Sequence, residues 1–300
     1  MVGPSTVSEQ RQLEAATDSD TPPLAMGQRA VAWRGARALA WREIVRFLRQ
    51  RNRVVGAVGQ PIVFWLLFGV GMNQYFQVPG QRFSLYFVPG TIVLILLFTA
   101  IFATISIIED RQEGFLQAVL VAPTPRGALV LGKVIGGSVL AVGQAVIFLG
   151  LALTLGITLS VAQALLLLLL MSVTAVGLTS LGFCLAWRLD STQGFHALMN
   201  LLLMPMWLLS GAFFPVPQLT DQTRWAESAM HLVMRCNPVT YAVSGVRQLM
   251  FLTDLSSGSK SDGLWLPTLS TCWWVTLGFS FAMFLLAARI ARRPTQGDLQ

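Results

Sequence analysis

Charge is scarce in this sequence. Asp, Glu, Lys and Arg make up 12% of its 300 residues, about half the share of a soluble globular domain. That is too little to cover the surface of a soluble protein of this length. Cysteine is scarce as well: Cys184, Cys236 and Cys272 have no metal-like spacing, and two of them fall inside apolar runs, so neither a disulfide framework nor a cysteine metal site is expected. Residues 1–28 are polar and contain no apolar h-region, so no cleavable signal peptide is expected, and the segment reads as a disordered tail. No internal repeat is visible, which disfavours inverted-repeat secondary transporters. Acids are fewer than bases, and the net charge is +7. Such a balance suits a membrane protein whose cytoplasmic side lies near anionic lipid. Nucleic acid is not an expected partner, because the basic residues near the N-terminus run directly into an apolar stretch.

What the sequence does have is apolar length: 54% of its residues are hydrophobic. Six stretches approach the ~20 residues needed to cross ~30 Å of hydrocarbon. They are Val54–Met72, Leu85–Ile108, Val134–Leu155, Val161–Trp187, His196–Val216 and Leu264–Ile290. Pro61, Pro89 and Pro205 fall within or near them, which helices in lipid tolerate when neighbours take the freed carbonyls. Before the first stretch, Val31–Arg53 carries Trp41, Ile44, Val45 and Leu48 on one helical face and Arg42, Arg46, Arg49 and Arg53 toward the other. The pattern reads as an amphipathic helix in the headgroup layer with its arginines toward phosphate. The plainer alternative is a basic flank to the first span. Between the fifth and sixth stretches, Pro238–Leu252 is a moderately apolar run interrupted by Arg247, of the length of an interfacial or re-entrant helix. Placing both termini in the cytoplasm puts sixteen of the 21 Lys and Arg on that side, as the positive-inside rule requires.

No charged residue stands in the middle of any stretch. Glu109 and Asp110 end the second, Lys133 begins the third and Arg289 closes the sixth. The polar residues at depth are Gln60, Gln144, Ser172, Thr174, Asn200 and Ser210, suited to hydrogen bonds between helices. Paired titratable groups at one depth would have favoured a membrane-embedded enzyme, and they are missing. Two apparent motifs dissolve on inspection. Gly127–Lys133 resembles a phosphate-binding loop, but Val134 replaces the hydroxyl residue and no strand precedes it, so the chain alone is expected neither to bind nor to hydrolyse ATP. His196 and Ser210 suggest an intramembrane protease, but 14 helical positions place them about 21 Å apart. His231 has no metal partner in view.

The stretch between the second and third spans, residues 109–133, combines charge at its start with a short apolar helix (Phe115, Leu116, Val119, Leu120). Pro123 and Pro125 end it, and Arg126 and Lys133 lead back to the membrane. It can present a charged end to a soluble partner or be a solvated hairpin, and composition leaves the two even. Here the sequence resembles the type-2 ABC exporter permeases, the membrane subunits of ATP-binding-cassette transporters, in particular the daunorubicin-resistance type. The matching residues are Arg111, Gly114, Leu120, Pro123, Arg126, Leu131, Gly132 and Lys133. Leu209–Pro215 resembles the family's pattern at the outer end of span five, and Asn237-Pro238-Val239-Thr240-Tyr241 with Arg247 resembles its outer motif. Ser244 stands where many relatives carry an acid.

The resemblance implies an all-α integral membrane protein of six spans, with an N-terminal interface helix and a re-entrant or interfacial helical segment between spans five and six. Together with the composition, this divides the chain into an expected disordered cytoplasmic tail over 1–30, the interface helix over 31–53, a transmembrane domain over 54–290 and a short cytoplasmic tail over 291–300. The resemblance further implies a permease of the cell (inner) membrane that is not itself an enzyme and binds no cofactor. ATP and magnesium would sit on a separate ATPase subunit, two permeases would pair, and the contact to the ATPase would involve Glu109, Asp110, Arg111, Glu113, Gly114, Pro123 and Arg126. Relatives of this kind export drug-like or antibiotic amphiphiles, and others export polysaccharides or lipid-linked glycans.

Overall fold

The computed structural model describes residues 24–71, 83–121, 125–154, 156–214, 216–217, 225–251 and 265–292. The described part is helical and contains no strand. It comprises α1 (Leu24–Arg49), α2 (Arg51–Phe64), α3 (Phe83–Ala103), α4 (Ile105–Gln112), α5 (Phe115–Val121), α6 (Arg126–Leu153), α7 (Val161–Ala186), α8 (Thr192–Trp207), α9 (Trp225–Cys236), α10 (Pro238–Met250) and α11 (Leu269–Arg292).

Five of the expected spans are helices long and apolar enough to cross a bilayer: Leu85–Gln112, Arg126–Leu153, Val161–Ala186, Thr192–Ala212 and Leu269–Arg292. The first expected span is the apolar but shorter helix Val54–Gly69. The ends follow local chemistry. Ser160 and Gln163 form a capping box at the start of α7, and Ser191 caps α8. Pro125, in extended geometry, stands just before α6, which starts at Arg126 and so absorbs the run that resembles a phosphate loop into a helix. Pro61 and Pro205 are each followed by a π-helical turn, Trp65–Val70 and Leu208–Ala212. A proline removes one backbone donor and crowds the preceding turn, and wider turns accompany the distortion at both places.

α3 lies at the centre, with 89% of its most apolar stretch buried, and α11 lies at the edge with 22%. Around α3 pack α6, α7, α10 and the π turn after α2. Of the polar residues expected to bond between helices, Gln144 does so, accepting from Thr99 at 2.6 Å. Ser172, Thr174 and Ser210 instead bond back to carbonyls of their own helix, because a hydroxyl on a helix reaches the carbonyl three or four residues earlier. The Gln60 side chain, Pro123, Pro215 and residues 1–23 lie outside the described residues.

One expected element differs in form. The N-terminal helix begins at Leu24, directly after Pro22-Pro23, and breaks at Gln50 before the first span. It also has a protein partner: Ala36, Ala40, Glu43 and Phe47 form a buried stripe toward α6. Two α6 glycines permit that approach. A Cβ at Gly132 would lie 2.7 Å from the Ala36 carbonyl, and one at Gly136 would lie 2.9 Å from the Glu43 Cβ. Small residues four apart on both helices let the backbones close up. α10 takes the re-entrant alternative: it packs against α3, α7, α11 and the π turn of α8. It enters the bundle and does not lie on its surface.

Candidate functional site

Three helices meet around Lys133. From α6 its ammonium donates to Glu43 Oε1 of α1 at 2.6 Å, to Ser106 Oγ of α4 at 3.0 Å, and to Asp110 Oδ2 of α4. Asp110 is fully buried, and Lys133 and Glu43 are 3% and 5% exposed. Two carboxylates against one ammonium leave a negative charge, which the arginines of α1 balance. Arg42 holds Asp110 with both nitrogens at 2.8 and 3.1 Å, the paired geometry that suits guanidinium and carboxylate. Arg46 donates to Asp110 Oδ1 at 2.8 Å and to Glu113 at 3.2 Å. It also stands 3.0 Å from Glu109 Oε2, a charge contact without hydrogen-bond alignment, since that oxygen has no hydrogen-bond partner. Burial opposes the Arg42 charge, but the carboxylates of Asp110, Glu43 and Glu113 outweigh it and raise its pKa above the ordinary arginine value. Arg42 and Arg46 therefore face carboxylates, not the lipid phosphates expected of them. The reason is Glu109, Asp110 and Glu113, which α4 and its following turn present to one side of α1.

Beside this cluster opens a cleft of about 430 Å³. Phe47 and Glu109 line it next to the charges; Leu94, Phe98, Thr99 and Phe102 of α3 line it further along, and His196 stands near the start of α8. His196 lies against the Phe102 ring, with centroids 5.5 Å apart.

At the far end of the bundle, the kink of α8 frees backbone carbonyls. Leu209 leaves helical geometry and Gly211 takes φ +77°. Asn237 Nδ2 donates to the Met206 carbonyl at 2.6 Å and to that of Leu209 at 3.2 Å. Thr240 reaches Leu209 O at 3.4 Å. Arg247 and Tyr86 both donate to Gly211 O, at 3.0 and 3.3 Å, and the guanidinium lies 4.1 Å from the Tyr86 ring centre. Asn237 also caps α10 through Oδ1, Pro238 occupies the first turn, and Tyr241 ties back to the Arg235 carbonyl at 2.9 Å. The two far-end motifs are thus halves of one joint: a broken helix and the re-entrant helix that satisfies it.

Residues 34–251, a span that takes in the charge cluster, the cleft and this joint, match the ABC-2 type transporter family. The chain belongs to that family. Among similar permeases, the transport permease ycf38 of Cyanophora paradoxa is 24% identical over 231 residues, covering 75% of this chain and 76% of that one. The ycf38 permease of Porphyra purpurea is 25% identical over 225 residues, 72% and 74% of the two chains. Nodulation protein J of Rhizobium leguminosarum bv. trifolii is 23% identical over 246 residues, 80% of this chain and 87% of that protein.

In this permease the residues expected to contact an ATPase are placed in different ways. Glu109 and Asp110 join the cluster on α1 and α6. Arg111 turns to the end of α7, donating to the Trp187 carbonyl at 2.8 Å and to Asp190 at 2.9 Å. Arg126 is exposed and caps α11 through the Arg292 carbonyl at 2.9 Å. Glu113 is exposed over 59% of its side chain. Gly114 has φ +74° with open space where a Cβ would stand. Glu43, Lys133 and Ser106 are the site residues that sequence reading did not bring together. The clue was Glu43, the lone acid of Val31–Arg53, placed in step with Ala36, Ala40 and Phe47 on one helical face.

Proposed function

We propose that this permease is the membrane subunit of an ATP-driven exporter for a drug-like, antibiotic or lipid-like amphiphile. The cleft carries this reading. Leu94, Phe98, Phe102 and Ile105 give it apolar walls, and Gln50, Thr99, Glu109, Thr192 and His196 place polar groups among them. A pocket of mainly apolar walls with a few polar groups suits a molecule with a polar head and a hydrophobic body. A glycan would need hydrogen-bonding partners along its whole length, and the side chains of Leu94, Phe98, Phe102 and Ile105 provide none.

Energy would come from a separate ATPase carrying ATP and magnesium, docked at the turn after α4 through Glu113, Gly114 and Arg126. Two permeases would pair, with both termini in the cytoplasm of a cell bounded by this inner membrane. Among the described residues, the buried charges Glu43, Asp110 and Lys133 pair with one another, which suits an external energy source better than an ion-coupled carrier.

The test is co-purification with the ATPase beside ATP-dependent uptake of a hydrophobic dye into inverted vesicles. Glu113→Lys and Arg126→Glu should each weaken the complex; losing one member of an interfacial charge pair costs about 2–5 kcal/mol. Wild-type co-purification and uptake in both variants, at equal membrane abundance, would show that docking lies elsewhere.

A further inference from the structure

At about 430 Å³ the cleft has the size of a small-molecule site, and its lining carries charge of one sign. Among the described residues that line it, none is Lys or Arg, and Glu109 is the single carboxylate. The cluster behind Glu109 does not cancel that charge. Four carboxylates, Glu43, Glu109, Asp110 and Glu113, share three cations, Arg42, Arg46 and Lys133. Arg111, the base of α4, is taken up by Asp190. With every group ionised, one negative charge is left over, and it falls to Glu109. Arg46 stands 3.0 Å from Glu109 but gives its hydrogen bonds to Asp110 and Glu113. Glu109 Oε2 is the one buried carboxylate oxygen among the described residues without a hydrogen-bond partner.

Two further features of the lining point the same way. Thr99 donates its hydroxyl hydrogen to Gln144 Oε1 at 2.6 Å, so its oxygen can offer the cleft only lone pairs. Phe47, Phe98 and Phe102 supply three aromatic rings, and a cation is drawn to the electron-rich face of such a ring. Neutral His196, the other titratable group of the lining, donates or accepts by its tautomer and favours neither sign. An excess carboxylate, an acceptor and aromatic rings between apolar walls concentrate positive charge.

We propose that the cleft selects amphiphiles with a cationic nitrogen head over neutral and anionic ones, and that Glu109 sets this preference. The head rests against Glu109 and the rings, and the hydrophobic body lies along the apolar walls. An anionic head, such as that of a phosphate-bearing acidic lipid, meets the leftover carboxylate and has no hydrogen to give it, so such lipids of the surrounding bilayer are kept out. The inference rests on the exporter reading in taking the cleft as the place where the transported molecule is held.

The experiment uses the full permease in nanodiscs of phosphatidylcholine. The probes share one fluorescent rod: diphenylhexatriene, its trimethylammonium derivative and its propionic acid derivative. Binding is read as the saturable part of energy transfer from the tryptophans of the protein. The cation should bind several-fold more tightly than the anion, with the neutral rod between them. Glu109→Gln should weaken the cation and strengthen the anion, and Glu109→Asp, which keeps the charge, should hold the wild-type order. Opposite shifts mark a charge-selecting residue, whereas loss of a merely structural residue moves all the probes the same way. Where Glu109→Gln fails to accumulate, the order of the probes on the wild type decides alone. Equal binding of cation and anion, or parallel loss of every probe in Glu109→Gln, overturns this inference and leaves the exporter reading standing. Absence of saturable binding by every probe, the neutral rod included, overturns the cleft as the holding place and removes the exporter reading's support with it.

Discussion

The Asn237 amide caps α10 with its oxygen and holds the α8 kink with its nitrogen, so the two functions can be separated by substitution. Asn237→Ala should lose the cap, about 1 kcal/mol, and strand buried carbonyls at about 1–3 kcal/mol each. Asn237→Asp retains a capping oxygen but cannot donate, so it should recover only the cap. Thermal unfolding of the purified permease in detergent checks the order wild type, Asp, Ala; equal stability of Ala and wild type would remove the joint's importance. The sequence marked Asn237, Pro238, Tyr241 and Arg247 as one motif, and the structure brings them to one place. Their shared purpose was not legible, because the carbonyls they meet belong to α8 and become free only through its kink. Gly114 teaches a similar lesson. The family resemblance marked it as a contact residue, and the structure shows a left-handed φ with open space where a Cβ would stand. A glycine letter does not say which of its two properties is in use.

Among the elements, α1 was the hardest to read. Its aromatic and basic residues were visible: Trp33 and Trp41 are 58% and 67% exposed, as a helix at a membrane surface would present them. The buried stripe was not, because Ala36, Ala40, Gly132 and Gly136 carry almost no hydropathy signal, and their value lies in what they let approach. Gly136→Leu should drive α1 away from α6 at a cost of about 1–3 kcal/mol or more. Limited trypsin digestion reads the result. Arg34 and Arg37 are exposed on α1, and cleavage there should accelerate in the variant while the spans stay protected. Unchanged cleavage would mean that the seam is not what holds the helix. By contrast, α5 was legible from its run of apolar residues between a glycine and two prolines.

At the scale of the whole molecule, apolar length was the dominant signal, and it placed the long spans near their observed ends except at α6, which starts at Arg126 and not at the expected Val134. The packing order of those spans left no such trace, since lipid-facing and partner-facing leucines look alike in sequence. Topology can be examined with the native thiols. Cys236 is exposed, whereas Cys184 and Cys272 are buried. If the segment between α8 and α11 faces outward, as the basic-residue bias predicts, a membrane-impermeant maleimide should label Cys236 on intact cells, and Cys236→Ser should abolish the signal. Labelling that requires permeabilised cells would reverse the orientation. Ser257→Cys would place a second thiol for such labelling, at a position outside the described residues.

The contact between Glu43 and Lys133 spans 90 residues, and the chain is made from one end. While it leaves the ribosome, α1 appears first with its carboxylate, then α4 with Asp110, and the ammonium that both require is still to come. The N-terminal helix therefore cannot reach its final position during synthesis until the third span has begun to insert. A nascent chain halted before residue 133 would hold its first two apolar helices and a set of carboxylates with one counter-charge missing. Such a truncation should be degraded faster in cells than one halted just after α6, and pulse-chase measurement of the two fragments would show it. Assembly of this permease then has a checkpoint set by one lysine: quality control can judge the first third of the molecule only once the second third has started.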